Sequence, residues 1–139
     1  MPYQTIEELS EAQCLQLIAP GGVGRIAYES RFGPAVLPVN YRLDGGAVLF
    51  RTAEHGPLDE DLRTGIAGGA YKVAFEIDDI DTAARRGWSV LIQGPAKHLT
   101  ETERDAAGAA DLQTWAPGAR ELFVKIVPTR ITGRRLGPA

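Results

Sequence analysis

The chain has 139 residues and a mass of 15.0 kDa, so we expect residues 1–139 to form one domain, with flexible ends at residues 1–8 and 136–139. A net charge of −3 and a pI of about 5.4 argue against a nucleic-acid-binding protein. One cysteine and two histidines exclude an internal disulfide and a zinc site, so we expect no metal. We find no targeting signal and no membrane-spanning run in the sequence, so we expect a cytoplasmic protein without a membrane partner.

The first predicted element is a short helix that begins at a capping box. Ser10 and Gln13 have the spacing of the N-cap and N3 residues. The apolar side of the helix comes from Cys14, Leu15, Leu17 and Ile18. Pro20-Gly21-Gly22 ends it, and residues 23–30, VGRIAYES, then alternate as a strand.

Residues 34–52 predict a β-hairpin around Asp44-Gly45-Gly46. Either Asp44-Gly45 or Gly45-Gly46 forms the two-residue loop, and both registers place the same side chains on the same face. The face that carries Tyr41 and Phe50 is predicted to be core. The other face is mixed, and both a solvent-facing sheet and a binding surface remain open for it. Its residues are Pro38, Asn40, Arg42, Ala47, Leu49 and Arg51.

The second half of the chain predicts a short helix at residues 57–62 and then strands at residues 71–78 and 88–98, the latter bent or bulged at Gly94-Pro95. Residues 77–81, IDDID, are interpreted as a solvated turn without catalytic role. A capping box at Thr100 begins a helix that we expect to reach about residue 112, before a final extended run. Six or seven antiparallel strands with short peripheral helices predict a mainly β protein, built as a closed or nearly closed barrel.

The chain carries none of the common catalytic motifs, such as a nucleophile elbow, a phosphate loop or a dinucleotide fingerprint. A candidate anion site lies at the end of the hairpin. Arg51 and Thr52 can donate hydrogen bonds to an anion, and His55-Gly56-Pro57 leads into a predicted helix whose first amides can do the same. A surface arginine beside a core threonine explains the pattern equally well.

The ordered set of segments resembles actinobacterial members of the pyridoxamine 5′-phosphate oxidase-like, flavin-binding split-barrel superfamily. The segments are GRIAY, LPVNY, DGG, LFRT, VAFEID, GWSV and PTRITGRR, and the resemblance runs from Leu9 to about Leu136. It implies a six-stranded antiparallel split β-barrel, a homodimer and one flavin mononucleotide (FMN) in each of two clefts between subunits. The cofactor-binding residues that it implies are Pro38, Val39, Asn40, Arg51, Thr52, His55, Gly56 and Trp88. Trp88 fits either packing or contact with the flavin.

The chain departs from true pyridoxamine-phosphate oxidases at two places. They look as though they have a lysine near the position of Asn40, and a Ser-Arg-Lys run where this chain has residues 54–57, EHGP. We therefore do not expect the vitamin-biosynthetic activity. The resemblance implies an FMN-binding oxidoreductase that passes electrons from a reduced nicotinamide to a small organic acceptor, with no catalytic residue assigned. The alternatives are a non-catalytic flavin or haem carrier or sensor, a deazaflavin-dependent reductase, and a dimer without cofactor.

Overall fold

The computed structural model describes residues 4–52, 71–108 and 122–138. The predicted helix at residues 57–62, together with His55 and Gly56, lies outside these ranges. In the described part of the chain the elements are β1 (Gln4–Leu9), α1 (Glu11–Ile18), β2 (Gly22–Ser30), β3 (Gly33–Asp44), β4 (Ala47–Thr52), β5 (Tyr71–Asp81), β6 (Arg86–His98), α2 (Glu101–Ala107), β7 (Leu122–Ile126) and β8 (Arg130–Pro138).

Six of the strands close into an antiparallel barrel in the order β6-β5-β2-β3-β4-β7, and β7 pairs back onto β6 at residues 96–98. The other stretch of β6, residues 87–93, pairs with β8, and β8 pairs with β1. One long strand therefore belongs to the barrel and to a flat extension beyond it. This arrangement confirms the predicted mainly β split barrel with short peripheral helices and adds two strands to it.

The exchange of partners along β6 takes place at Gly94-Pro95. The pairing of β5 with β6 runs through these residues in continuous register, so the predicted irregularity appears as a change of neighbour and not as a bulge. A Cβ on Gly94 would lie 2.1 Å from the carbonyl oxygen of Val127, and hydrogen bonds to Gln93 and Pro95 hold the segment between β7 and β8 in place. Glycine is required here because another backbone passes so closely.

Inward-facing side chains fill the barrel. Phe75 is fully buried at its centre, and its ring centroid lies 5.6 Å from that of Tyr41 and 6.1 Å from that of Phe50. Helix α1 covers one end, where the Tyr41 hydroxyl donates a hydrogen bond of 2.8 Å to the carbonyl of Ile18. The core predicted for one face of the hairpin is thus confirmed at Tyr41 and Phe50 and is sealed by the helix.

Helix α1 begins as predicted. The Ser10 hydroxyl accepts a hydrogen bond from the Gln13 amide, and the Gln13 side chain accepts one from the Ser10 amide. Cys14 and Ile18 are fully buried, and a Cβ on Gly133 of β8 would lie 2.5 Å from the Cys14 sulfur. The missing side chain at Gly133 lets the helix pack directly onto β8.

Three local expectations differ from the structure. Residues 77–81 belong to β5 and form no turn, because β5 stays paired with β6 as far as Asp81; the turn is at residues 82–85, where the Asp81 carboxylate accepts the Ala84 amide. Helix α2 starts at its predicted capping box but ends at Ala107, where Gly108 adopts a left-handed conformation with φ 63°. Residues at both expected flexible ends pair with each other as β1 and β8.

Candidate functional site

The mixed face of the hairpin is partly covered by the chain itself. The structure selects Gly45-Gly46 as the loop, since Asp44 pairs with Ala47. On the outer face of β4, Leu49 is fully buried and packs with Phe123 of β7 and Leu99 in a second, small core. Hence this face is not a plain solvent-facing sheet, and the polar residues beside Leu49 sit next to apolar surface.

Three arginines meet on this face, and we call Arg42, Arg51 and Arg104 the arginine cluster. The guanidinium carbon of Arg51 lies 4.9 Å from the centroid of the Phe123 ring, and that of Arg104, on α2, lies 5.4 Å from it. Arg42 shares the outer face with Leu49 in the β3–β4 register and reaches the end of α2 at Gly108. Contact with one aromatic ring orients two guanidinium groups on the same side of β4 and β7.

The structure places Arg51 and Thr52 on opposite sides of β4. Arg51 is half-buried on the outer face, whereas Thr52 is buried on the inner face. They occupy the last two positions of the strand. A single anion can therefore meet both side chains only at the end of the strand.

The three candidates on β3 are divided in the same way. Pro38 and Asn40 face outward and pair with Arg25 and Val23 of β2, while Val39 faces inward and packs against the core. In the register of the hairpin, Asn40 comes one position before Tyr41, the first residue of β3 that pairs with β4, on the same side as Arg51. The structure thus brings Asn40 and Arg51 together on one face.

Trp88 lies in a separate place, on the extension of the sheet beyond the barrel. Its register partners are Asp79 on β5 and Arg135 on β8, and Arg135 is in turn paired with Glu7 on β1 at 3.8 Å. These side chains line a cleft of about 610 Å³, which we call the Trp88 cleft. It offers a partly buried aromatic side chain with both signs of charge around it, features that suit a planar polar ring.

The Trp88 cleft and the arginine cluster lie on different strands and on opposite faces of the sheet. Trp88 has the same orientation on β6 as the buried Val90 and Ile92, which face the barrel interior. Arg51 lies between the buried Phe50 and Thr52 and faces outward. The candidate residues of one chain therefore fall into two groups, which we call the two half-sites.

Sequence reasoning missed several residues that these half-sites use. Phe123 and Arg104 gave no local signal, because their contact with Arg51 depends on the packing of α2 and β7 over β4. Glu7 and Arg135 meet only because β1 pairs with β8. The sequence signal that could have found the latter pair is the alternation of GRRL, which matches a strand as well as a solvated end.

The outer face of β2 and β5 carries a cluster of charged side chains. Arg25 contacts Glu76 at 3.4 Å and Asp78 at 3.5 Å. Partial burial, followed by the hydrogen bond with Asp78 and the repulsion from its charge, raises the pKa of Glu76 from 4.5 to about 7, against the opposing effect of Arg25. The Glu76 side chain is still 36% exposed, so solvent screens part of this effect.

This cluster predicts how stability depends on pH. Since the pKa of Glu76 is higher in the folded state than in the unfolded state, the folded state binds more protons, and stability falls as the pH rises from about 4.5 through 7. We expect Glu76→Gln to remove that loss. Relative to the native protein, the free energy of unfolding of the variant should rise by up to about 1 kcal/mol between pH 5 and pH 8. Urea unfolding at several pH values measures this difference, and parallel profiles for the two proteins would refute the assignment.

Metal sites and membrane-spanning helices are absent from the described part of the chain. Among residues 4–52, 71–108 and 122–138, no group of three or more His, Cys, Asp or Glu side chains is placed to hold a metal ion. In the same ranges, no helix has the length and apolar character needed to cross a membrane.

Comparison with known proteins gives consistent matches along the chain. Residues 10–135 match the family model described as pyridoxamine 5′-phosphate oxidase. An uncharacterized protein of Mycobacterium tuberculosis is 31% identical over 131 residues, which is 94% of this chain and 86% of that protein. A candidate pyridoxamine 5′-phosphate oxidase from Corynebacterium glutamicum matches with a TM-score of 0.78 and 26% identity, over 100% of this chain and 96% of that one. An FAD binding protein from Mycobacterium smegmatis matches with a TM-score of 0.69 and 28% identity, over 94% and 98% of the two chains.

Proposed function

We propose that this chain, which belongs to the pyridoxamine 5′-phosphate oxidase family, binds FMN as a homodimer and transfers electrons from a reduced nicotinamide to a small organic acceptor. A flavin as ligand is supported by the similarity to an FAD binding protein over nearly the whole chain. The choice of FMN, the dimer and the electron transfer are our inferences from the family and from the chemistry of the two half-sites.

The observation that carries the proposal is the arginine cluster at the end of β4. A flavin nucleotide ends in a phosphate, and guanidinium groups are well suited to a phosphate because their N–H donors match its oxygens. Arg51 and Arg42 lie on the same outer face, close to the strand end where the buried Thr52 is found. These donors fit a phosphate without the lysines that other members of the superfamily carry. We propose Arg51, Thr52, His55 and Gly56 as the phosphate-binding residues.

The residues proposed for the ring end of the flavin are Pro38, Val39 and Asn40 on β3. Asn40 contributes an amide that can both donate and accept hydrogen bonds, and Pro38 presents an apolar surface without an amide hydrogen. Bound flavin supplies the redox chemistry itself. The role of this chain is to hold the flavin ring against the sheet and to shield one face of the ring from water.

The homodimer is proposed because one chain contains only half-sites. Trp88 faces the same side of β6 as Val90 and Ile92, whereas Asn40 and Arg51 face the outer side of the β3–β4 hairpin. A second copy could bring its Trp88 cleft against the β3–β4 face of the first. The aromatic side chain would then cover a ligand whose phosphate is held by the other subunit.

Anaerobic stopped-flow reduction tests the proposed activity. Protein loaded with FMN is mixed with NADH or NADPH, and we expect the flavin absorbance to bleach and to recover when a quinone or another organic acceptor is added. Free FMN at the same concentration is the control for uncatalysed reduction. Bleaching no faster than that of free FMN, for protein that retains its flavin, would reject the oxidoreductase and leave a flavin carrier.

A further inference from the structure

The tip of the β5–β6 hairpin holds a second pocket, which borders the Trp88 cleft and shares part of its lining, including Trp88 and Leu136. It has a volume of about 220 Å³ and lies on the outer side of the sheet extension. We call it the hairpin-tip pocket, and the residues that its argument uses are Ile80, Arg85, Gly87, Arg134 and Leu136. Its volume is below the roughly 300–1,000 Å³ of pockets for drug-sized ligands, so it suits a single ring or a short chain.

The walls of this pocket are apolar and exposed. In the sheet register Gly87 lies between Ile80 on β5 and Leu136 on β8, which are 60% and 40% exposed. A Cβ on Gly87 would come within 2.6 Å of the Asp79 carbonyl, so no side chain can occupy the space between the two walls. The gap between Ile80 and Leu136 is therefore a fixed feature of the strand pairing.

The rim of the pocket is basic. Arg85 closes the hairpin turn in a left-handed conformation with φ 54°, which is uncommon for a residue other than glycine, and Arg134 borders the pocket from β8. Arg86 also lines it. The acidic group on the rim, Asp81, already accepts the amide of Ala84 in the turn. Glu8 faces Arg134 from the next strand and balances part of the charge.

From this combination we infer that the hairpin-tip pocket binds a small amphipathic carboxylate, with its apolar part between Ile80 and Leu136 and its carboxylate at Arg134 and Arg85. A carboxylate is favoured because guanidinium groups bind it through paired N–H donors. An apolar group is favoured because it removes the exposed walls from water. Ile80, Arg85 and Arg134, which contact the inferred ligand, are outside the lining of the Trp88 cleft, and the inference goes beyond the proposed redox function.

Calorimetric titration with octanoate tests this inference, with octylamine and 1-octanol as probes of the same chain length. We expect saturable binding of octanoate that is about tenfold or more tighter than binding of the amine. Ile80→Asp and Arg134→Ala should each weaken octanoate binding by about tenfold. The matched controls are Val36→Asp, which changes a β-branched residue of equal exposure (60%) on β3, outside the pocket lining, and Arg130→Ala, which removes an exposed arginine of β8.

Four results would overturn the inference. They are octanoate binding that does not saturate, equal affinity for the amine, binding that survives both pocket variants, and equal weakening by Val36→Asp and Ile80→Asp. Size-exclusion chromatography of the same variants gives an independent check. If Ile80→Asp dissociates an oligomer and Val36→Asp does not, Ile80 forms a contact between copies of the chain and the pocket is not a ligand site.

Discussion

Replacing Phe75 with alanine is expected to lower the free energy of unfolding by about 3–5 kcal/mol. Phe75 is fully buried where the side chains of several barrel strands meet, and its ring contacts Tyr41 edge-on and lies beside Phe50. It also fills the space next to Gly24, where an added Cβ would come within 2.1 Å of the Phe75 ring. The surrounding strands are hydrogen-bonded into a closed barrel and cannot collapse onto the cavity that the alanine variant would leave. We therefore expect most of the stabilisation from the Phe75 side chain to be lost.

Urea unfolding followed by circular dichroism measures the change, and Phe32→Ala is the matched control. Phe32 is 92% exposed in the turn between β2 and β3, so its removal should alter stability by no more than about 0.5 kcal/mol. Similar losses of stability for the two variants would contradict the barrel interior described for Phe75.

Replacing Arg51 with alanine is expected to weaken FMN binding by about 10- to 100-fold. A hydrogen bond from a charged donor contributes about 1.5–3 kcal/mol, and each 1.4 kcal/mol changes a dissociation constant tenfold. Arg51 is held in place by the Phe123 ring at 4.9 Å, so its guanidinium is oriented before a ligand binds. The loss should therefore appear in affinity, and thermal unfolding of the variant without flavin should show that the barrel is intact.

Two further variants separate a specific contact from a change in overall charge. Arg51→Lys keeps the charge and should recover part of the affinity, since lysine lacks the planar donor arrangement of arginine. Arg130→Ala removes an exposed arginine from β8 and should leave FMN affinity unchanged. An unaltered dissociation constant for a well-folded Arg51→Ala protein would remove Arg51 from the proposed phosphate-binding residues.

The parts of the fold that sequence reasoning anticipated have local causes. The capping boxes at Ser10 and Thr100 place helix starts by a contact over three residues. Alternation around the Gly45-Gly46 turn identifies the hairpin and its buried face. These signals depend on residues that are close in the chain, so a single sequence is enough to detect them.

The features that sequence reasoning missed depend on distant pairing. Residues 78–81 contain three aspartates and suggest a turn. Their backbone is nevertheless paired with β6, and β5 extends to Asp81. The chain ends suggest flexibility, yet Gln4–Leu9 and Arg130–Pro138 each complete the other's hydrogen bonds. Pairing with a strand that is distant in the chain stabilises these residues, and this stabilisation cannot be predicted from a local window of sequence.

The candidate site divides in the same way. Local sequence identified Arg51 and Thr52 at the end of a strand, but it could not show that they face opposite sides of β4 or that Phe123 supports the arginine. It also could not show that Trp88 and Arg51 face opposite sides of the sheet. The resemblance already implies clefts between two subunits, and the tertiary structure shows which candidate residues one chain brings together.

The central claim is that the chain binds FMN, and a visible titration of the purified protein tests it most directly. We expect the flavin absorption spectrum to shift and the change to saturate at one FMN per chain, with a dissociation constant in the micromolar range or tighter. Parallel titrations with haemin and a deazaflavin coenzyme are the comparison. A Soret band or a deazaflavin response without any FMN response, or no saturable response to any of the three, would contradict the account.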